Sequence, residues 1–301
     1  MPFQPSITSA AIVLILAFAP AQASEVTQTY KGMVLNANLE LAAGKKTSDG
    51  VILITHGGLL HRSSETIVYL QKLFKERGYN SLAINFSLGL NHRHGNYDCK
   101  VPHRHLNQDA AQEIGAWVEW LKRQGVQHVA LLGHSRGGAQ TALYVAEQDS
   151  ALVHAVVLMA PATIANNDAS EYQKRFGKPL EPTLQKAQKL VKAGKGTTLL
   201  AQVGVMTCAD TKATAASFVS YFGEPARLDT PSLIPKIKKP VLIVVAGADE
   251  IVIGLEPKIS PLVDNQRVQM KFVDGADHFF RDLYADDAVD ATDAFLKRTG
   301  F

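Results

Sequence analysis

Gly133-His134-Ser135-Arg136-Gly137 sets a serine between two glycines, with an apolar run before it and an amphipathic run after it. The pattern G-x-S-x-G suits a nucleophile held on a tight turn between a strand and a helix. Glycines fit such a turn because it brings backbones together and leaves no space for side chains. A serine hydroxyl alone is a poor nucleophile; it needs a base, and the base needs an acid to orient it. After a turn of this kind the order along the chain is Ser, then Asp or Glu, then His. Two histidines follow Ser135, His154 and His278. His154 opens an apolar run, where a structural role fits better, whereas His278 stands in ADHFF just past the last apolar run. The acid should follow the preceding strand, which makes Asp249 the first candidate and Glu250 the second. Negative charge developing on a substrate carbonyl also needs fixed donors. The backbone N–H of Arg136 is one; Gly58 in His56-Gly57-Gly58, or a residue beside it, is the other.

These residues need a scaffold that gathers them, and the hydrophobic pattern supplies one. VILITHGG (51–58), NSLAINFSL (80–88), HVALLGHS (128–135), LVHAVVLMAP (152–161), PVLIVVAGAD (240–249) and VQMKFVDGA (268–276) read as strands. The continuously apolar ones are the kind buried on both faces of a sheet. Between them, 64–77, 107–124, 136–148, 255–265 and 284–298 carry apolar residues at helical spacing. Strands alternating with helices predict a mostly parallel sheet with helices on both faces. TYKGMVLNANLEL (29–41) reads as an antiparallel hairpin at the sheet's edge. Residues 162–230 break the alternation: they are helix-prone, and no apolar run in them matches the core strands. This stretch is expected to fold over the sheet as an insertion.

Composition narrows the partners. A formal charge of +3 spread along the chain argues against nucleic acid. Residues 7–19, ITSAAIVLILAFA, are followed by Pro20 and Ala21-Gln22-Ala23, the layout of a secretory signal cleaved after Ala23. The run lacks a preceding Lys or Arg, so a membrane anchor or a buried first helix is the alternative. At 13 residues it is short for a span, which needs about 20. The expectation is export to the periplasm or medium, a mature chain from Ser24, and no membrane insertion once the signal is removed. In an oxidising compartment the two cysteines invite pairing.

NHRHGNYDCKVPHRH (91–105) concentrates four of the ten histidines and one of the two cysteines. It follows a core strand, at the edge where open α/β sheets bind ligands. Three readings stand side by side. It is an exposed polar loop; or a cationic rim of Arg93, Lys100, Arg104 and nearby imidazoles that attracts anions; or a zinc or copper site of His92, His94, His103, His105 and Cys99. The spacing matches no compact ligand pattern, and the main reading includes no metal.

HGG, GHSRGG, GAD and DHFF, in that order, resemble the α/β-hydrolase family of esterase- and lipase-like serine hydrolases, of an exported bacterial type. The resemblance covers nearly all of residues 24–301. It implies an eight-stranded, mostly parallel sheet with the site at the strands' C-terminal ends, beneath a helical cap inserted at about 162–230. It implies Ser135 as nucleophile, His278 as base, Asp249 as orienting acid, and Gly58 and Arg136 as the oxyanion donors, with no cofactor. Carboxylic ester hydrolysis through an acyl-enzyme is the expected reaction, on small-molecule esters. Amide or peptide hydrolysis by the same residues is the alternative, as is a binding protein that keeps the fold without turnover. Oligomeric state is left open. The family's topology also puts Cys99 and Cys208 above the same sheet edge, so a Cys99–Cys208 disulfide is expected, the alternative being two buried thiols. A bridged Cys99 is lost as a metal ligand.

Overall fold

The computed structural model describes residues 24–301; the segment read as a secretory signal, 1–23, lies outside the described residues. Eight strands form one sheet: β1 (Ser24–Tyr30), β2 (Met33–Glu40), β3 (Val51–Thr55), β4 (Ser81–Asn85), β5 (Val129–His134), β6 (Val153–Met159), β9 (Val241–Ala246) and β10 (Val268–Val273). Their spatial order is β1-β2-β4-β3-β5-β6-β9-β10. β1 and β2 run antiparallel, β2 also pairs antiparallel with β4, and the strands from β4 to β10 are parallel to one another. Every residue of β3, β4, β5 and β9 is buried, which explains their apolar runs VILI, LAI, VALL and VLIVVA.

Helices cover both faces. α1 (Glu65–Glu76) and the C-terminal helix α10 (Leu283–Arg298) pack on one side, where Ile67, Phe74, Ala288 and Phe295 join Ile52, Ile54 and Val244 of the sheet. α2 (Asn107–Arg123) and α3 (Arg136–Glu147) pack on the other, where Ile114, Trp117 and Leu143 join Val51, Leu53 and Leu131. Among the described residues no helix is long and apolar enough to cross a membrane.

The edge hairpin begins earlier than its apolar pattern suggests. β1 alternates exposed and half-buried positions (SEVTQTY), so it offers little hydrophobic signal, and the turn is Lys31-Gly32, both at positive φ (48° and 78°). That is the geometry of a two-residue hairpin turn. The expected helix over 255–265 is shorter: α9 (Leu255–Ile259) gives way to a 3₁₀ turn over Ser260–Leu262, where Pro261 has no N–H to continue an α-helix.

The stretch between β6 and β9 differs most. It holds α4 (Ala169–Phe176), α5 (Leu180–Lys192), α6 (Ala215–Phe222), α7 (Pro225–Leu228) and α8 (Thr230–Leu233), as its helix-prone sequence suggests. It also holds a hairpin of β7 (Leu199–Val205) and β8 (Cys208–Thr214), a separate two-stranded sheet. β7 buries Leu200, Val203 and Val205, and the register shifts between each successive pair. Those irregularities replace strict alternation, which is why the pattern hid a strand.

Candidate active site

The turn after β5 is forced by crowding. Ser135 sits at φ 57° and ψ −126°, a conformation that a non-glycine residue holds only under tertiary constraint. A Cβ on Gly133 would lie 2.6 Å from the Cα of Gly138, and one on Gly137 would collide with the His56 carbonyl. Both glycines of the motif are therefore steric necessities of the β5–α3 junction. Thr55 at the end of β3 donates its hydroxyl to the Gly137 carbonyl (3.1 Å), tying the turn to the neighbouring strand.

The loops after β9 and β10 bring the other two groups to the serine. His278 Nε2 is 2.8 Å from Ser135 Oγ, and His278 Nδ1 is 2.8 Å from Asp249 Oδ2. Both partners in that second contact are nearly buried, with side-chain exposures of 5% and 4%. Burial opposes charge on Asp249, but the hydrogen bond and charge of His278, with the N–H groups of Val252 and Ile251, outweigh it and hold its carboxyl below the ordinary value. Those two N–H groups reach Asp249 Oδ1 at 2.8 and 2.7 Å. Asp249, with its second oxygen capped this way, acts only as an acceptor toward His278. Glu250 is exposed and makes no bond to His278, and His154 bonds the Leu152 carbonyl on its own strand (2.9 Å).

The N–H groups of Gly58 and Arg136 have no protein acceptor among the described residues, and both residues share a hollow with Ser135. Gly57 packs so tightly on Ser135 that a Cβ there would lie 2.8 Å from the Ser135 Cβ, whereas Gly58 stands at φ 47° with open space beside it. Ser135, Gly58 and His278 also line a cavity of about 370 Å³ walled by Leu59, Leu60, Tyr97, Thr207 and Phe279. No Asp or Glu side chain lines it.

Two buried histidines that the motif reading passed over position this site. His134 Nε2 donates to the His278 carbonyl (2.8 Å); burial, then the charge of His278, push its pKa down to about 4, so it is neutral at pH 7. His56 Nε2 accepts from the Phe86 N–H (3.2 Å) and faces Arg93 (3.3 Å), and burial pulls its pKa to about 3. Neither carries a sequence signal beyond proximity to the glycine motifs.

The histidine loop divides, and Arg93 drops out of the cationic rim while Lys100 and Arg104 stay exposed. Arg93 is buried and bonds the carbonyls of Phe86 (2.8 Å), Gly95 (2.5 Å) and Leu60 (3.0 Å), so its charge is spent inside the protein. His103 and His105 are buried as well, bonded to each other (3.0 Å), with His105 also bonded to Tyr221 of α6 (2.8 Å). His92 and His94 are exposed, but they face Glu25 of β1. None of the four histidines lines the Ser135 cavity. Cys99 and Cys208 form a disulfide with a Cα separation of 5.4 Å, which removes the one thiolate from the five-residue metal set. The bridge joins loop to hairpin beside backbone bonds from His103 N–H to Lys212 O (2.7 Å) and from Thr214 N–H to His103 O (2.9 Å).

No curated protein matches the chain in sequence. Among solved structures, Est1E from Butyrivibrio proteoclasticus superposes with a TM-score of 0.66 at 19% identity, over 91% of this chain and 98% of that one. An esterase of Pyrococcus furiosus gives 0.59 at 17% identity, over 92% and 91%. A monoacylglycerol lipase of Paleococcus ferrophilus gives 0.61 at 18% identity, over 87% and 98%. At these identities the likeness is one of fold, an eight-stranded α/β-hydrolase sheet. In sequence, residues 46–280 match the family model described as serine aminopeptidase, S33, and the chain belongs to that family of α/β-hydrolases.

Proposed function

We propose that the protein is an exported serine hydrolase that cleaves small carboxylic esters through an acyl-enzyme. The observation that carries this reading is the continuous chain of contacts Ser135–His278–Asp249, 2.8 Å at each step, on a strained turn open to the cavity. His278 Nε2 takes the Ser135 proton as Oγ attacks the ester carbonyl. Asp249, held as a carboxylate, keeps the ring's Nδ1–H toward itself and stabilises the imidazolium that forms. The N–H groups of Gly58 and Arg136 receive the oxyanion. His278 then returns the proton to the departing alkoxide, and a water repeats the sequence to release the acid.

The family description favours a second reading, an aminopeptidase served by the same three residues. Such an enzyme must hold a substrate ammonium; the cavity beside Ser135 has no carboxylate in its wall, Glu250 and Asp277 lining only the adjoining hollow past His278 and Phe279, whereas its apolar wall suits a neutral acyl group. Esterases and a monoacylglycerol lipase among the fold neighbours fit the first reading. The test sets p-nitrophenyl esters of increasing chain length against aminoacyl p-nitroanilides. Turnover of the short esters with inert anilides is expected. Faster anilide cleavage would replace the ester reading with the peptidase one.

A further inference from the structure

Outside the cavity, at the edge of the sheet, Glu25, His92 and His94 present carboxylate and imidazole atoms all within 4.8 Å of one another. The hydrogen bonds there leave one contact without a proton to share. His94 Nδ1 lies 2.9 Å from the His92 carbonyl. A carbonyl only accepts, so Nδ1 carries the proton, and in a neutral ring Nε2 is then a bare lone pair. Yet Nε2 faces the two oxygens of Glu25 at 3.1 and 3.3 Å, and His92 Nε2 faces the same carboxylate at 3.0 Å. Two acceptors at such a distance need a cation between them, either a second proton on the ring or a metal ion.

From this geometry we infer that Glu25, His92 and His94 form a binding site for a divalent ion of the zinc class. Zinc bonds of about 2.0–2.1 Å to nitrogen and oxygen put two tetrahedral ligands about 3.3 Å apart. The separations from Glu25, 3.0 Å to His92 and 3.1 to 3.3 Å to His94, match that edge, and the two imidazoles' ligand atoms lie within 4.8 Å of each other. The outer partners that orient metal ligands are also in place. The His92 carbonyl fixes the His94 ring, and Arg62 bonds one Glu25 oxygen while Asn36 (2.6 Å) and Asn38 (2.7 Å) hold Arg62. His92 itself sits at φ 49°, with its N–H bonded to the Val34 carbonyl (2.9 Å). Arg62 adds a positive charge that weakens the site relative to one with an uncompensated carboxylate.

The consequence is mechanical. His92 and His94 flank Arg93, which runs inward to the Leu60 carbonyl and to His56 beside the glycine loop. An ion here would brace β1 against the loop that positions Gly57 and Gly58, without touching the reacting atoms.

Equilibrium dialysis against zinc chloride tests this, on protein without a histidine tag, since a tag binds the same ions. One zinc per chain is expected, with an upward shift of the unfolding temperature. His94→Ala and His92→Ala, both at exposed positions, should each weaken binding at least tenfold, while His154→Ala should leave it unchanged. Glu25→Gln should weaken it as well. Absence of zinc binding in the wild type, or wild-type affinity in both His92→Ala and His94→Ala, would overturn the assignment.

Discussion

The turn at Gly133–Gly138 and the histidine loop at 91–105 occupy the same end of the sheet, after strands β5 and β4, and β3 lies between those strands. Both are dense in groups that do chemistry. The turn's conformation comes from close backbone packing that only glycine allows: a Cβ on Gly133 would strike Gly138 within the turn, and one on Gly137 would strike the His56 carbonyl after the neighbouring strand. The loop's conformation comes from partners far along the chain: Glu25 at 67 and 69 residues from His92 and His94, Tyr221 at 116 from His105, and Cys208 at 109 from Cys99. A constraint that demands glycine at fixed spacings is legible in sequence, and one met by polar or cysteine partners that the fold supplies is not. The difference also predicts where each region breaks: substitutions in the turn should cost activity, and substitutions in the loop should cost stability.

The largest effect belongs to the turn. Ser135→Ala should lower kcat by about a million-fold, as loss of a triad serine does elsewhere, with an unchanged melting temperature. A residual rate within tenfold of wild type in a steady-state ester assay would move the nucleophile to another residue. Asp249→Asn comes next. The ring would then settle in the wrong tautomer, and kcat should fall by about ten thousand-fold while the fold persists. If Glu250→Gln produced that loss and Asp249→Asn did not, the acid would be the neighbour.

The loop should show the reverse pattern. Cys99→Ser with Cys208→Ser opens a closure of 109 residues, which in the chain-entropy account costs about 4–5 kcal/mol. Denaturant unfolding of the double variant should show that loss, with ester turnover at low temperature affected far less. Equal stability with and without the bridge would mean that the backbone bonds at His103 alone hold the loop to the hairpin.

A smaller, pH-dependent effect comes from Glu113 of α2, whose carboxylate receives the N–H (2.8 Å) and the hydroxyl of Ser87 at the loop's entrance. Burial outweighs those bonds and raises its pKa from 4.5 to about 7. Between those values the folded chain keeps a proton that the unfolded chain has released, so stability should fall as pH rises from 4.5 to 7 and level off above. The linkage amounts to roughly 3 kcal/mol. Glu113→Gln should flatten that part of the pH–stability curve, and an unchanged slope would assign it to other groups.

Much of the architecture was readable because parallel strands buried on both faces carry continuous apolar runs, as VILI, VALL and VLIVVA do. The contact between Ser135, His278 and Asp249 could be anticipated because each residue follows a strand in the chain order that the motif implies. The β7–β8 hairpin could not, since its register shifts erase the period of two. Nor could the burial of Arg93, His103 and His105: a polar side chain is satisfied in a core only by partners that the fold supplies. His134 and His56 were hidden for the same reason, as neutral rings whose work is to hold backbone in place.

Labelling with a fluorophosphonate, followed by peptide mapping, tests the central claim most directly, because the probe reacts with a serine activated by its neighbours and not with serines at large. The account predicts a single adduct on Ser135 in the folded protein. Labelling should disappear in His278→Ala and in urea-unfolded wild type. An adduct on another serine, undiminished labelling of Ser135 in His278→Ala, or no adduct in the folded protein would contradict it.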